Sequence, residues 1–450
     1  MMKRIFLFLL MAAAIAACSD NDSFTTSTSA RLTFSADTVK MDTVFSTIGS
    51  STYTFWVYNQ GDDGIRLQSV RLGQGNQTGF RVNVDGSYLD NSTGAVAVGL
   101  EVRGGDSLRV FVELTAPENM QQEAQLVEDD LLFQLESGVV QRVHLEACAW
   151  DAIQWTGKVL RRDTVIESSK PIIVYGGLRI DSAATVTIRH TTLYFHDQAG
   201  IDVYGTLLTD SVLMRGDRLD HMFDYLPYDR VSGQWRGVTI HSSSFHNELV
   251  ATEIRNAENA LVCDSAALSA DRQRLYMERC VIHNSKGAGL EVNSSYVGLL
   301  DCQFSNTLGD CLAVYGGIVV MQGCTLAQFY PFSADRGVAL RLCNYKGEAP
   351  CALEYFKCSN SIVTGYADDV VMGGTLQGDS ITPFVFLFEN SLLRTPVVED
   401  DTVSYVRILW ESPSDSIQGK KHFVLVDEQN LKYDFHLDSL STAQGLGCYR

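Results

Sequence analysis

The chain has 450 residues, of which 45% are hydrophobic, and a formal net charge of −19 at neutral pH. Nucleic acids and anionic lipid headgroups attract basic surfaces, so this acidic balance argues against both as partners. The length is sufficient for two domains, each with a sizeable core.

The first 17 residues have the composition of a secretory signal peptide. Lys3 and Arg4 precede an apolar run that is too short to cross a bilayer as a helix. The run ends in IAAC at positions 15–18, which matches the bacterial lipobox. The sequence therefore predicts cleavage before Cys18 and a lipid anchor on Cys18; an ordinary signal peptide with an incidental cysteine is the alternative.

Residues 18–30 are small and polar, and they predict a flexible tether. Within them, SDND at positions 19–22 resembles the acidic tether that sends some lipoproteins of Bacteroides-type bacteria to the cell surface. The resemblance implies an outer-membrane location with the protein facing outward. A stalk without any sorting role is the alternative.

Residues 31–151 predict an antiparallel, Ig-like β-sandwich. A β-prone run at 54–58 is followed by turn residues, and apolar side chains alternate with polar or outward ones over 108–114. Two further strands, at 130–135 and 139–145, flank Glu136-Ser137-Gly138 as a hairpin. Modules of this kind usually act as spacers or docking surfaces.

A 22-residue repeat follows. The segment CVIHN at 280–284 returns as CQFSN at 302–306 and as CTLAQ at 324–328. Apolar positions recur at the same interval, for example Ile282, Phe304 and Leu326. Three short apolar stretches separated by polar or glycine corners form one turn of a parallel β-helix, because stacked turns place equivalent residues above one another. We expect this fold, right-handed, over 152–395, with residues 396–450 completing or capping it.

A leucine-rich horseshoe is the competing repeat fold. It requires a helix-prone half in each unit, and this sequence lacks one. A two-sheet sandwich does not keep a fixed period of 22. The repeat therefore favours the β-helix.

The corners and interior slots have their own residue preferences. Asn256, Asn284 and Asn306 follow an apolar residue, where we expect left-handed backbone and amide bonds between successive turns. Cysteine suits a narrow interior slot, and we expect Asn360 and Asn390 to occupy that slot in later turns.

The segment 177–195, GQWRGV at 233–238 and the asparagine-rich turns resemble the right-handed β-helix lipoproteins of Bacteroides-type bacteria, which share the pectate-lyase-like superfold. The resemblance implies a fold more than an activity. Helices of this kind include lyases, hydrolases, adhesins and inert scaffolds.

Residues 216–235 interrupt the repeat with a loop that is rich in aromatic and charged residues. Aromatic faces bordered by charged groups suit sugar rings, so this loop is the candidate ligand-binding site. Its candidate residues are Asp217, Arg218, Asp224, Tyr225, Tyr228, Asp229, Arg230 and Trp235. The alternative is that the aromatic residues pack the loop onto the helix. A second loop at 329–336 has a similar composition, and the sequence does not place one relative to the other.

The sequence predicts no catalytic residue, metal site or cofactor. It lacks the Asn-Thr-Asp, Gly-His-Gly and Arg-Ile-Lys motifs of polygalacturonase-like helices. The leading hypothesis is a lipid-anchored, non-catalytic protein that binds a polysaccharide or another cell-surface partner. The alternatives are a polysaccharide lyase or glycoside hydrolase that uses the loop carboxylates, and a structural or adhesive scaffold. The oligomeric state is not indicated.

The chain has eleven cysteines. Those at 280, 302 and 324 follow the repeat, so their positions reflect the fold and not pairing. Cys343 and Cys351 are the pair best placed for a disulfide.

Overall fold

The computed structural model describes residues 23–89, 94–223, 225–269, 271–411 and 419–449. The predicted signal peptide, Cys18 and most of the tether lie outside these residues, as does Asp224. The chain separates into two compact units between Asp151 and Ala152.

The first unit consists of short β-strands. In its described part they are β1 (Thr33–Phe34), β2 (Thr38–Lys40), β3 (Val44–Phe45), β4 (Tyr53–Tyr58), β5 (Ile65–Leu72), β6 (Phe80–Val84), β7 (Ser87–Tyr88), β8 (Val96–Val102), β9 (Ser107–Leu114), β10 (Gln125–Leu135) and β11 (Val140–Trp150).

These strands form two sheets that share one core. One sheet has the order β1-β4-β9-β6-β7, and the other has the order β2-β11-β10-β5-β8 with β3 beside β11. Neighbours are antiparallel except for β2 and β3, which run parallel to β11. Alternate residues of β9 point inward, so that Leu108, Val110 and Val112 are buried. The predicted antiparallel sandwich is confirmed.

The second unit contains the remaining strands of the described chain. They are β12 (Ile153–Leu160), β13 (Thr164–Glu167), β14 (Ile172–Ile180), β15 (Thr185–Phe195), β16 (Gly200–Val203), β17 (Thr206–Gly216), β18 (His221–Phe223), β19 (Leu226–Pro227), β20 (Gly237–Ile240), β21 (Asn247–Val250), β22 (Glu253–Arg255), β23 (Leu261–Cys263), β24 (Leu275–Glu278), β25 (Val281–His283), β26 (Leu290–Leu300), β27 (Gln303–Ser305), β28 (Leu312–Gln322), β29 (Thr325–Gln328), β30 (Leu340–Cys343), β31 (Tyr345–Lys346), β32 (Ala349–Pro350), β33 (Leu353–Ser359), β34 (Ile362–Gly365), β35 (Val371–Gly374), β36 (Phe384–Glu389), β37 (Leu392–Leu393), β38 (Tyr405–Val406), β39 (Leu409–Trp410), β40 (Phe423–Asp427) and β41 (Lys432–Leu437).

Strands β12 to β17, β20 to β30 and β33 to β39 form one continuous parallel ladder, with each strand paired to its equivalent in the next turn. Ile282 pairs with Phe304, and Phe304 pairs with Leu326, as the 22-residue repeat predicts. All three side chains are fully buried. The predicted parallel β-helix is confirmed, and its interior is a single apolar core that runs from Leu160 to Leu393.

The corners adopt the left-handed backbone that the asparagines predict. Asn256, Asn284 and Asn306 have φ of 62°, 60° and 53°. Among the described residues, the predicted bond between amides joins Asn390 Nδ2 to Asn360 Oδ1 at 2.7 Å. Asn256 Nδ2 instead donates to the carbonyls of residues 229 and 231. The amide ladder is therefore formed at a different corner from the one predicted.

The placement of Asn360 and Asn390 in the cysteine slot is wrong by one residue. Both have positive φ, at 51° and 45°, and so they occupy the corner before the slot. Ser361 occupies the slot, where its Oγ accepts a bond from the Cys324 amide at 3.0 Å. Asparagine tolerates left-handed backbone, whereas a small side chain fits the interior.

The thiols of Cys280, Cys302 and Cys324 form a column in the interior, because Val281, Gln303 and Thr325 pair in register beside them. All three thiols are buried and free. Burial raises the pKa of the Cys302 thiol well above its usual range. This column is called the thiol column below.

Residues 419–449, called the C-terminal strap here, follow the last rung formed by β38 and β39. Phe423, Phe435 and Ala443 of the strap pack against Phe329 and Ile362. Three polar contacts continue along earlier turns: Gly447 N to Asn360 O (2.9 Å), Cys448 N to Thr325 Oγ1 (3.1 Å) and Tyr449 Oη to Gln303 Oε1 (3.0 Å). The strap thus runs back along the outer side of the β-helix.

Candidate functional site

The predicted loop leaves the β-helix at Gly216 and returns at Gly237. In between, β18 and β19 form a small antiparallel hairpin, and a 3₁₀ turn spans Tyr228–Arg230. Gly237 has φ of 101°, and a Cβ atom there would lie 1.7 Å from the carbonyl oxygen of Asn259. Only glycine permits this close return to the next turn of the helix.

Trp235 belongs to the core and is not available to a ligand. Its side chain is 1% exposed and stacks on Phe195, with ring centroids 4.2 Å apart and an interplanar angle of 9°. The indole Nε1 donates to the carbonyl of Arg255 at 2.7 Å. The packing alternative therefore describes Trp235 correctly, and the ligand-binding prediction for it is wrong.

The charged residues at the start of the loop form hydrogen bonds and ion pairs with neighbouring side chains. Asp217 Oδ2 lies 2.7 Å from His196 Nδ1. Arg218 forms two bonds to Asp220, of 2.8 and 2.5 Å, and its guanidinium lies 4.1 Å from the centre of the Tyr228 ring. Asp217, Arg218 and Tyr228 therefore define the shape of the loop.

Asp229 is surrounded by arginines at the other end of the loop. Its carboxylate oxygens lie 3.0 Å from Arg215 Nη1, 3.3 Å from Arg230 Nη1 and 3.6 Å from Arg255 Nη1. Arg215 and Arg255 belong to successive turns of the helix, since β17 pairs with β22 just before them. Asp229 and Arg230 thus fix the 3₁₀ turn onto the rungs beneath it.

The tip of the loop exposes two aromatic rings. Tyr225 is 78% exposed and Phe223 is 54% exposed. Their centroids lie 5.6 Å apart, and their planes are 11° from parallel. We call these two rings the aromatic tip. Tyr225 was predicted as a ligand-binding residue, whereas Phe223 was not; its position in the hairpin, two residues before Tyr225, was the available signal.

The structure brings the second loop next to the first. Ser232 Oγ and Tyr330 Oη lie 3.1 Å apart, although they are separated by 98 residues in the chain. Tyr330 packs edge-on against Phe332, whose ring is half exposed. Arg336, at the end of this loop, lies over the Tyr366 ring at 4.4 Å. The two aromatic loops therefore share one side of the β-helix.

A concavity with a volume of about 660 Å³ lies at the first rungs of the second unit. Leu160, Ile166 and Ile172 form its apolar part, and Arg161 and Arg162 contribute charge. Its residues belong to β12, β13, the segments that follow these two strands and the first residue of β14. The repeat pattern did not predict this concavity, because the first rungs are less regular than those at 280–328.

The predicted disulfide between Cys343 and Cys351 is not formed in this structure, where both thiols are free. The hairpin of β31 and β32 places Cys351 opposite Asn344, whose carbonyl accepts from the Cys351 amide at 2.8 Å. Cys343 is buried in the ladder beside Tyr315. The register therefore offers Cys351 a different neighbour. Burial raises the pKa of both thiols.

No helix among the described residues has both the length and the apolar character needed to cross a membrane. Comparison with protein-family models and with curated proteins finds no match for this chain.

Proposed function

We propose that this protein is a non-catalytic, lipid-anchored surface protein that binds a polysaccharide at the aromatic tip of the 216–235 loop. The observation that carries the proposal is the exposed, nearly parallel ring pair of Phe223 and Tyr225. Adjacent exposed apolar side chains often mark interaction sites, and the faces of aromatic rings match the C–H surfaces of sugar rings.

Rigidity supports binding at this tip. The hydrogen bond between Asp217 and His196 and the ion pair between Asp229 and Arg215 hold the loop on the rungs. A preorganised loop loses little conformational entropy when it binds. Phe332 of the neighbouring loop supplies a third exposed ring on the same side.

The arrangement of carboxylates favours binding over cleavage. A glycosidase needs one carboxyl group as an acid and a second as a base or nucleophile, placed on either side of the scissile bond. In the described part of the loop, Asp217 is hydrogen-bonded with His196, and Asp220 and Asp229 are each paired with an arginine. They are positioned to stabilise the loop.

The lipid anchor and the outer-membrane location rest on residues outside the described part of the chain. The lipobox at 15–18 and the acidic segment at 19–22 support them. Together with the aromatic tip, they suggest a protein that holds polysaccharide at the outer face of the cell.

The test of binding is the double variant Phe223→Ala/Tyr225→Ala, examined against plant and host polysaccharides by calorimetry. Loss of two stacking faces should weaken binding about 5- to 100-fold, since each aromatic contact contributes about 0.5–1.5 kcal/mol. The free energy of unfolding should change little, because both rings are exposed.

Tyr88→Ala is the matched control, since Tyr88 is an exposed tyrosine of the first unit. It should leave binding unchanged. Equal affinity of the double variant and the wild type would refute the proposed site. Polysaccharide chains that become shorter during incubation, measured by gel filtration, would show that the protein is an enzyme.

The anchor is tested separately with Cys18→Ser. This substitution removes the thiol that the lipobox requires, so the protein should no longer incorporate a radiolabelled fatty acid in cells and should leave the membrane fraction. Unchanged fatty-acid incorporation in the variant would exclude Cys18 as the lipid-bearing residue.

A further inference from the structure

We propose that the outward face of β10 and β11, in the first unit, binds one divalent transition-metal ion through Glu128, His144 and Glu146. Each of these residues offers one ligand atom, and the three atoms lie within 4.8 Å of one another. The cluster is separate from the aromatic loops and goes beyond the proposed polysaccharide binding.

The register of the two strands creates the cluster. Glu128 pairs directly with Glu146, and Asp130 pairs with His144. Like charges that face each other across an antiparallel pair are unfavourable. A single divalent cation between the two glutamates would remove that repulsion. The interior side of the same strands is apolar, with Leu131, Val143 and Leu145 in the core, so only the outward side chains are free to converge.

A carboxylate outside the ligand set, that of Asp130, orients the imidazole of His144. His144 Nδ1 lies 2.9 Å from Asp130 Oδ1, and this leaves Nε2 directed at Glu128 Oε1, 3.3 Å away. Arg142 Nη1 lies 3.2 Å from the other oxygen of Asp130. A carboxylate that fixes the far nitrogen of a histidine is the usual support of a metal-binding imidazole.

Lys40 is the exposed cation that contacts the cluster. Lys40 Nζ lies 3.0 Å from Glu146 Oε1, and its side chain is 81% exposed. Exposed ion pairs of this kind are weak, so a metal ion can displace the lysine. Arg142 already pairs with Asp130 and so remains outside the ligand set.

The donor set indicates the class of metal. One imidazole and two carboxylates suit zinc, cobalt or nickel, whereas magnesium and calcium prefer oxygen donors alone. Three protein ligands leave a coordination position for water. The expected ion is thus a zinc-like dication at a partly exposed site.

The experiment titrates the purified, chelator-treated chain with Zn²⁺ by calorimetry and with Co²⁺ by visible absorption. The wild type should bind one ion at this site. His144→Ala should lose that ion, and Asp130→Asn should bind it about 10- to 100-fold more weakly because the imidazole is no longer oriented. His144→Gln is a second variant that keeps the strand polar, and circular dichroism checks that each variant folds.

His190→Ala is the matched control. His190 is an exposed histidine that lies 3.1 Å from Glu167, but it is not part of the cluster. It should bind metal as the wild type does. The proposal is overturned if the wild type binds no ion, if a folded His144 variant retains full affinity, or if His190→Ala loses the ion equally.

Discussion

Three ionisable residues meet in the interior where the last rung joins the strap. Arg394 and Glu411 are buried, with Nη1 and Oε1 3.1 Å apart. Thr364 Oγ1 donates to the second oxygen of Glu411 at 2.6 Å. His422 of the strap lies 3.8 Å from Glu411 and bonds to Ser441 through Nδ1 at 3.0 Å. These contacts connect the end of the last rung, at Glu411, with the beginning of the strap, at His422.

The protonation of His422 should make the strap sensitive to acid. Burial lowers the pKa of His422 to about 4, from an ordinary value of 6.5. Between pH 4 and pH 6.5, His422 is therefore protonated in the unfolded chain and mostly neutral in the folded chain. Stability is fully present above about pH 6.5 and should fall, on the order of 2 kcal/mol, as the pH drops towards 4.

Urea unfolding of His422→Gln measured from pH 7 to pH 4 checks this expectation. The variant should lose less stability over that interval than the wild type does. His436→Gln removes an exposed strap histidine and should behave as the wild type. A wild type whose stability is flat between pH 6.5 and 4 would contradict the assignment.

At the scale of elements, the C-terminal strap depends on aromatic contacts. Phe435 lies 5.1 Å from Phe423 and 6.2 Å from Phe329, measured between ring centroids. Phe435→Ala should destabilise the strap by about 3–5 kcal/mol, which is the usual cost of removing a buried phenylalanine. Hydrogen exchange should then show faster exchange in β40 and β41, while the inner rungs keep their protection.

Val424→Ala provides the comparison, because Val424 is an exposed residue of β40, the strand that pairs with the strand of Phe435. It should alter stability by less than about 0.5 kcal/mol. If exchange in Phe435→Ala accelerates equally in the rungs at 280–328, the strap and the rungs unfold as one unit, and the expectation is wrong.

The rungs were predictable from sequence because stacking repeats one environment at a fixed interval. Ile282, Phe304 and Leu326 occupy equivalent positions, so the same apolar requirement appears three times. The error at Asn360 and Asn390 has the same origin. The turn between Cys324 and Ser361 is longer than 22 residues, so the repeat no longer aligns its residues exactly with those of earlier turns. The asparagine at the left-handed corner can then be mistaken for the residue in the neighbouring interior slot.

The strap and the loop core were not predictable in this way. Tyr449 contacts Gln303 across 146 residues, and no periodicity links them. Trp235 and Tyr225 are both aromatic residues of one loop, yet one is buried and the other exposed. Composition identifies such a loop, but only the path of the backbone determines which ring faces the core.

At the scale of the whole molecule, each unit has its own core. The core of the first unit includes Phe133 and Val143, and the β-helix core includes Phe304 and Leu326. Each core lies within one unit of the division between Asp151 and Ala152. Separate cores permit separate unfolding transitions.

Phe133→Ala should therefore destabilise the first unit by about 3–5 kcal/mol and leave the β-helix unaffected. Hydrogen exchange in increasing urea should show β10 and β11 opening earlier, with β25 and β27 unchanged. Phe304→Ala should produce the reverse. Simultaneous opening of both units in either variant would show that the two cores unfold cooperatively.

The thiol column offers an internal probe of how often the rungs of the β-helix open. Successive rungs lie about 4.8 Å apart, whereas a disulfide brings its two Cβ atoms to about 3.5–4.5 Å. In the folded ladder, Cys280, Cys302 and Cys324 are stacked neighbours that form no disulfide, and each is buried from reagents. Thiols that are exposed before the ladder closes lack this protection and are accessible to thiol reagents. In the folded protein, a thiol reagent reaches these side chains only when the rungs separate. The labelling rate therefore measures how often the rungs separate.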